Sequence, residues 1–137
     1  MDRTEKILWI TSGVAFIQIM IGFYLSQTEK PINSVALFIH ISLGLLLFIL
    51  AVASYIYTKE IKRLRNLAVV NTSLIAITGL IGIDFISLRT SIIYTTYVPY
   101  LHLAFAIGII SNYAVMLGIK RTLELEDLCV SYLSPYH

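Results

Sequence analysis

Two histidines stand in segments otherwise fit for hydrocarbon: His40 in FIHISLGLL (38–46) and His102 in YLHLAFAIG (100–108). An imidazole surrounded by apolar chain is costly and needs a partner. The two settings match: Phe38-Ile39-His40 against Tyr100-Leu101-His102, with Gly44 and Ala106 one helical turn further on. Two neutral imidazoles at one depth on facing helices are the ligand set of a bis-histidine haem b, each giving one nitrogen to the iron. Small residues one turn from each ligand leave room for a flat macrocycle. Gly44, Ala106 and Gly108 serve that need, as do Gly22, Gly79 and Gly82 elsewhere in the chain. Propionates would be received by Arg89, whose guanidinium suits carboxylate, with Lys30, Tyr94, Thr95 and Thr96 as further candidates. The expected cofactor residues are therefore His40 and His102 as axial ligands, with Gly44, Ala106 and Arg89 around them, and no catalytic residue.

Plainer roles suit the same pair. An intramembrane histidine also hydrogen-bonds across helices or faces a wet vestibule, and a proton relay or another metal uses the same chemistry. Zinc is disfavoured because no carboxylate or thiol lies near either histidine in sequence. Asp84 is a third ligand in principle, but anchoring Arg89 or orienting a histidine suits it better. Gln18, Asn71, Thr72, Ser73 and Asn112 read as packing residues that bond a neighbouring helix.

The elements that must position these residues are plain from composition. Of 137 residues 58% are apolar and 13% charged, and the mean hydropathy is +0.83. The charges gather into short clusters around apolar runs at 7–25, 35–57, 67–86 and 97–119, each 19 to 23 residues long. About 20 residues of helix cross a bilayer core. The fold class expected is all-α: an integral membrane four-helix bundle, up-down-up-down over 1–121, followed by a cytoplasmic tail at 122–137. Loops of about nine residues leave antiparallel neighbours as the available geometry. Pro31 and Pro99 are expected near the starts of the second and fourth spans, where a missing N–H does least harm. QIMIGFYLS and TGLIGIDFIS align Gly22 with Gly82, and each is followed by a histidine 18 or 20 residues later, so the spans read as two pseudo-repeated helical hairpins.

Positive charge sets the orientation. Arg3, Lys6, Lys59, Lys62, Arg63, Arg65, Lys120 and Arg121 fall on one side, and only Lys30 and Arg89 on the other, which places both termini in the cytoplasm. The first run reads as a span and not a signal peptide, being long for an h-region and lacking a small-x-small site in SQTEKP. Trp9, Tyr55, Tyr57, Tyr94, Tyr97 and Tyr100 flank the spans as an aromatic belt. Cys129 is the only cysteine, which excludes an iron–sulfur site within one chain. KEIKRLR suits lipid headgroups, and no nucleic-acid partner is expected.

These residues resemble one half of haem A synthase, the membrane enzyme that oxidises a haem methyl group. LFIHISLGLLLFILAVASY looks like the second helix of such a half, ITGLIGIDF like the third and YLHLAFAIGII like the fourth, with likeness through about Arg121. The resemblance implies a four-helix bundle with a histidine on its second and fourth helices near the outer face. The catalytic half of that family carries a glutamate three residues before its first histidine and an arginine just after it. Here Leu37 and Ile41 hold those positions, so the chain looks like the non-catalytic half that holds haem b. Small four-helix b-type cytochromes and small membrane subunits of respiratory oxidases resemble it equally.

The expected function is electron transfer or haem handling in a respiratory membrane, with a six-coordinate iron leaving no open position for substrate. A carrier or subunit is expected in preference to a stand-alone enzyme. Expected partners are membrane lipids, a membrane redox complex of the cytochrome oxidase kind or a second copy of the chain, and a quinol. Two alternatives stand beside this: a cofactor-free accessory subunit of a terminal oxidase or respiratory supercomplex, and a half-length haem A synthase acting as an oligomer.

Overall fold

The computed structural model describes residues 1–27, 34–87 and 92–133, with side chains over 1–27, 35–83 and 97–129. Four helices make up these segments: α1 (Arg3–Gln27), α2 (Ser34–Thr58), α3 (Lys62–Ser87) and α4 (Ile92–Leu133). Among the described residues there is no strand. All four helices are long and apolar enough to cross a bilayer. Their outward faces match that solvent: Phe16, Met20, Phe23, Ile49, Leu80 and Ile83 are all exposed, so the surface is as apolar as the interior.

Every helix outruns the apolar stretch that announces it, because charged and polar residues at the ends continue it. At the start of α1, Asp2 and Glu5 take the spacing of a capping box, and the Asp2 carboxylate accepts the Glu5 backbone N–H at 2.7 Å. Between α2 and α3 only residues 59–61 are non-helical. The Ile61 N–H donates to the Thr58 carbonyl at 3.1 Å, and the Arg65 N–H already donates to Ile61 at 2.9 Å. Much of the basic cluster thus lies in the first turn of α3 and not in a nine-residue loop. Pro99 lies seven residues inside α4, away from its start. Pro31 lies outside the described residues. Beyond Arg121 the chain continues as helix to Leu133.

Each helix packs on two others, α1 on α2, α2 on α3, α3 on α4 and α4 on α1, with the diagonal pairs apart; the α1–α4 joint is the smallest. Contacts between α1 and α2 run in opposite chain order. The Thr4 hydroxyl donates to the Tyr57 carbonyl at 3.3 Å, Thr11 meets Ser54 at 3.2 Å, and the Gln18 amide reaches His40 at 2.9 Å.

The buried positions repeat. Leu8, Thr11 and Ala15 of α1 return sixty residues later as Ala68, Asn71 and Ile75 of α3. Leu47, Ala51 and Ser54 of α2 return sixty-two residues later as Ile109, Tyr113 and Met116 of α4. This sorts the interior into layers. Thr11, Ser54, Asn71 and Tyr113 form a buried polar layer, one residue from each helix. Ala15, Leu47, Ile75 and Ile109 form an apolar layer next to it.

At the chain's start, Asp2 also joins α1 to α4, its Oδ2 lying 2.7 Å from the Lys120 ammonium, which bonds Glu124 as well. Partial burial pushes the Asp2 carboxyl up, but the bonds from Lys120 and the Glu5 N–H outweigh this and hold it below its ordinary value. A carboxyl lowered by folding contributes stability above its unfolded value of about 3.9, and that contribution fades as pH falls through the lowered one. Asp2→Ala is expected to cost about 1 kcal/mol at pH 7, mostly the cap, since an ion pair with one partner open to solvent adds less. Asp2→Asn keeps the cap and loses less. Thermal unfolding in detergent should show the gap between parent and Asp2→Ala narrowing from pH 7 to pH 3; a constant gap would mean the charge is irrelevant.

Candidate functional site

The helix order carries His40 on α2 and His102 on α4 to opposite corners of the bundle, yet their side chains meet across the diagonal. Their ring centroids are 6.2 Å apart and the planes are inclined at 45°. Both rings are half-buried.

The other two helices contribute backbone where a side chain would be expected. A Cβ on Gly22 would lie 3.0 Å from Cε1 of His40, and one on Gly82 would lie 3.4 Å from Cε1 of His102. Each histidine therefore leans on a glycine of the preceding helix, and the two leaning contacts are copies in the repeat. Four residues before each glycine a backbone carbonyl faces the ring. The Thr78 backbone lies beside the His102 ring and the Gln18 backbone beside the His40 ring, and His40 Nδ1 makes no hydrogen bond.

Gln18 makes the two halves differ. Its Nε2 donates to the His40 carbonyl at 2.9 Å and lies 3.5 Å from His40 Nε2. The same nitrogen would be 3.1 Å from a Cβ on Gly44, so the open side of Gly44 takes an amide. Two buried polar atoms are left without a hydrogen bond at this level, Gln18 Oε1 and His40 Nδ1. Buried polar atoms in folded proteins are nearly always paired, so these two are open to a further polar partner.

Of the residues expected from sequence, the structure brings His40 and His102 together. Ala106 is half-buried, one turn from His102. Gly79 and Gly108 have open space where a Cβ would stand. Arg89 and Lys30 lie outside the described residues, as do the side chains of Asp84, Tyr94, Thr95 and Thr96. Gln18 and Thr78 belong to the site although neither was singled out for it. The usable signal was their shared place, four residues before Gly22 and Gly82.

Chemically, the pair offers two imidazole groups. Among the described residues no group of three or more His, Cys, Asp and Glu side chains could hold a metal ion. A metal–imidazole bond of about 2 Å, plus about 1 Å from nitrogen to ring centre, puts two imidazoles on opposite sides of one metal about 6 Å apart between centroids. The 6.2 Å between the ring centres is of that size.

No family model, curated protein or solved structure matches this chain.

Proposed function

We propose that the chain is a four-span membrane protein of the respiratory membrane that holds one haem b between His40 and His102 and serves electron transfer or haem handling. The observation that carries this reading is the pair of imidazoles, 6.2 Å apart across the bundle diagonal, each resting on a glycine of another helix. His40 and His102 would each give one ring nitrogen to the iron. Gly22 and Gly82 keep the α1 and α3 backbones close to that level without filling it. Bound haem would supply one-electron chemistry; with both axial positions taken by protein, oxygen activation is not the role. The opposed order of the α1–α2 contacts supports an up-down arrangement, and the clustering of positive residues supports both termini in the cytoplasm. Within the resemblance to haem A synthase, Leu37 and Ile41 favour its non-catalytic half. The electron's donor would be a quinol or an adjacent redox subunit.

A second reading, the cofactor-free accessory subunit, draws on α4. Past Arg121 it runs twelve residues to Leu133 and exposes Leu125 beside Glu126 and Asp127, a surface suited to docking.

The visible spectrum of protein purified mildly from its native membrane separates the two. Sharp reduced α and β bands, absent in His102→Ala, are expected. A colourless preparation would discard the haem reading in favour of the accessory subunit.

A further inference from the structure

The α1–α4 joint leaves a cleft of about 330 Å³ lined by Trp9, Ser12, Ala114, Leu117, Gly118 and Arg121. It exists because the residues that meet there are small. Ser12 and Ala114 are short, and a Cβ on Gly118 would meet nothing within 4 Å. The walls are apolar and the mouth is not.

Arg121 stands at the mouth with its guanidinium 5.8 Å from the centre of the Trp9 ring. Its side chain is 62% exposed, and only Nε is engaged, by Glu5 at 3.6 Å. The remaining donors of the guanidinium fork stay available, in the geometry that pairs with two oxygens of a phosphate. The neighbouring cation is committed elsewhere: Lys120 is held by Asp2 and Glu124 at 2.7 and 3.0 Å. Lys6, exposed and three residues before Trp9, lies on the same side of α1. Of the charged groups around this mouth, Lys6, Lys120 and Arg121 are positive and Asp2, Glu5 and Glu124 negative; two carboxylates take up Lys120, which leaves Arg121 as the exposed cation beside the cleft. A phosphodiester carries one negative charge.

We propose that this cleft binds one anionic phospholipid, its phosphate on Arg121 beside the Trp9 ring and an acyl chain along the apolar walls. Charge and shape both call for an amphiphile with an anionic head. A redox-active quinol is a poorer occupant. Trp9 lies thirteen residues before Gly22, about 20 Å along α1 from the histidines, too remote to serve them. The site stands independently of what the histidines hold.

Trp9 is the only tryptophan, so fluorescence excited at the red edge of the indole band, where the nine tyrosines absorb little, comes from the residue at this cleft. The protein is reconstituted in phosphatidylcholine vesicles, and lipid with brominated acyl chains is added as phosphatidylglycerol or as phosphatidylcholine at equal mole fraction. Brominated phosphatidylglycerol is expected to quench Trp9 with about five-fold higher apparent affinity, the effect of one cation near a membrane surface. Arg121→Gln should erase the preference while leaving quenching by both lipids, and Lys120→Gln should preserve it. Equal quenching in the parent protein overturns the proposal, and so does a preference that survives in Arg121→Gln. The parent comparison needs no variant to fold.

Discussion

A Gly22→Leu variant should lose the low-spin spectrum that the proposed haem would give and unfold more easily than the parent by about 2 kcal/mol, as overpacked sites do. Even a lone Cβ at Gly22 would stand 3.0 Å from Cε1 of His40, and three further carbons add to that crowding. Moving that ring breaks its alignment with His102. Three companions grade the effect. Gly82→Ala places its Cβ at 3.4 Å from His102, an ordinary contact, and gains helix propensity, so it should be neutral or slightly stabilising. Gly22→Ala should fall between. Gly13→Leu points into open space on the same helix and should leave the spectrum unchanged. Absorbance and thermal unfolding on the four variants give the order. Retention of the full spectrum by Gly22→Leu would mean that the contact between α1 and His40 does not define the site.

The second large effect lies in the polar layer. Tyr113 is fully buried, yet its hydroxyl, beside Ser54 and Asn71, makes no aligned hydrogen bond. The ring and the hydroxyl should therefore separate cleanly on mutation. Tyr113→Ala removes a whole ring from the centre of the bundle and is expected to cost on the order of 3 kcal/mol, through lost packing and the cavity left behind. Tyr113→Phe removes only the unpaired hydroxyl and should cost less than about 1 kcal/mol. Denaturation in mixed micelles measures both. A Phe variant as damaged as the Ala variant would show that the hydroxyl holds the layer together through a partner it finds in solution.

Four helices were legible in the sequence because the apolar runs and their charged borders leave no other solution for the backbone. Their ends were less so. Asp2 to Lys6 read as a charged border, but Asp2 caps a helix that takes in the rest. The acidic and apolar residues after Arg121 read as a tail, yet leucine and glutamate are good helix formers and α4 absorbs them. The repeat was visible at Gly22 and Gly82 and at the two histidines. Its extension through Leu8, Thr11 and Ala15 was not, since Ala68, Asn71 and Ile75 share little chemistry with them and match only in position. Whether His40 and His102 face each other depends on helix rotation, which spacing leaves open. Gln18 shows the same limit: a residue that bonds a neighbouring helix is readable, the carbonyl it chooses is not. Tyr113 gave no signal at all, being one more aromatic residue in an apolar run.

The apolar layer of Ala15, Leu47, Ile75 and Ile109 has an electrical meaning. It lies between the histidines and the Thr11 layer, and the histidines sit about 8 Å from the helix ends at Gln27 and Ser87, judged from Gly22 and Gly82 five residues before them. Across a hydrocarbon core of about 30 Å, roughly a quarter of the thickness lies on one side of the histidine level and the rest on the other. A transmembrane voltage divides in about that proportion, with the larger share borne by the part of the bundle that begins with this apolar layer. A unit charge brought to the histidines from the nearer surface thus works against about 0.6 kcal/mol for each 100 mV, close to a three-fold change in any equilibrium that places it there. The layer acts as a dielectric spacer, and it ties the energy of a charge at the histidines to the polarisation of the membrane.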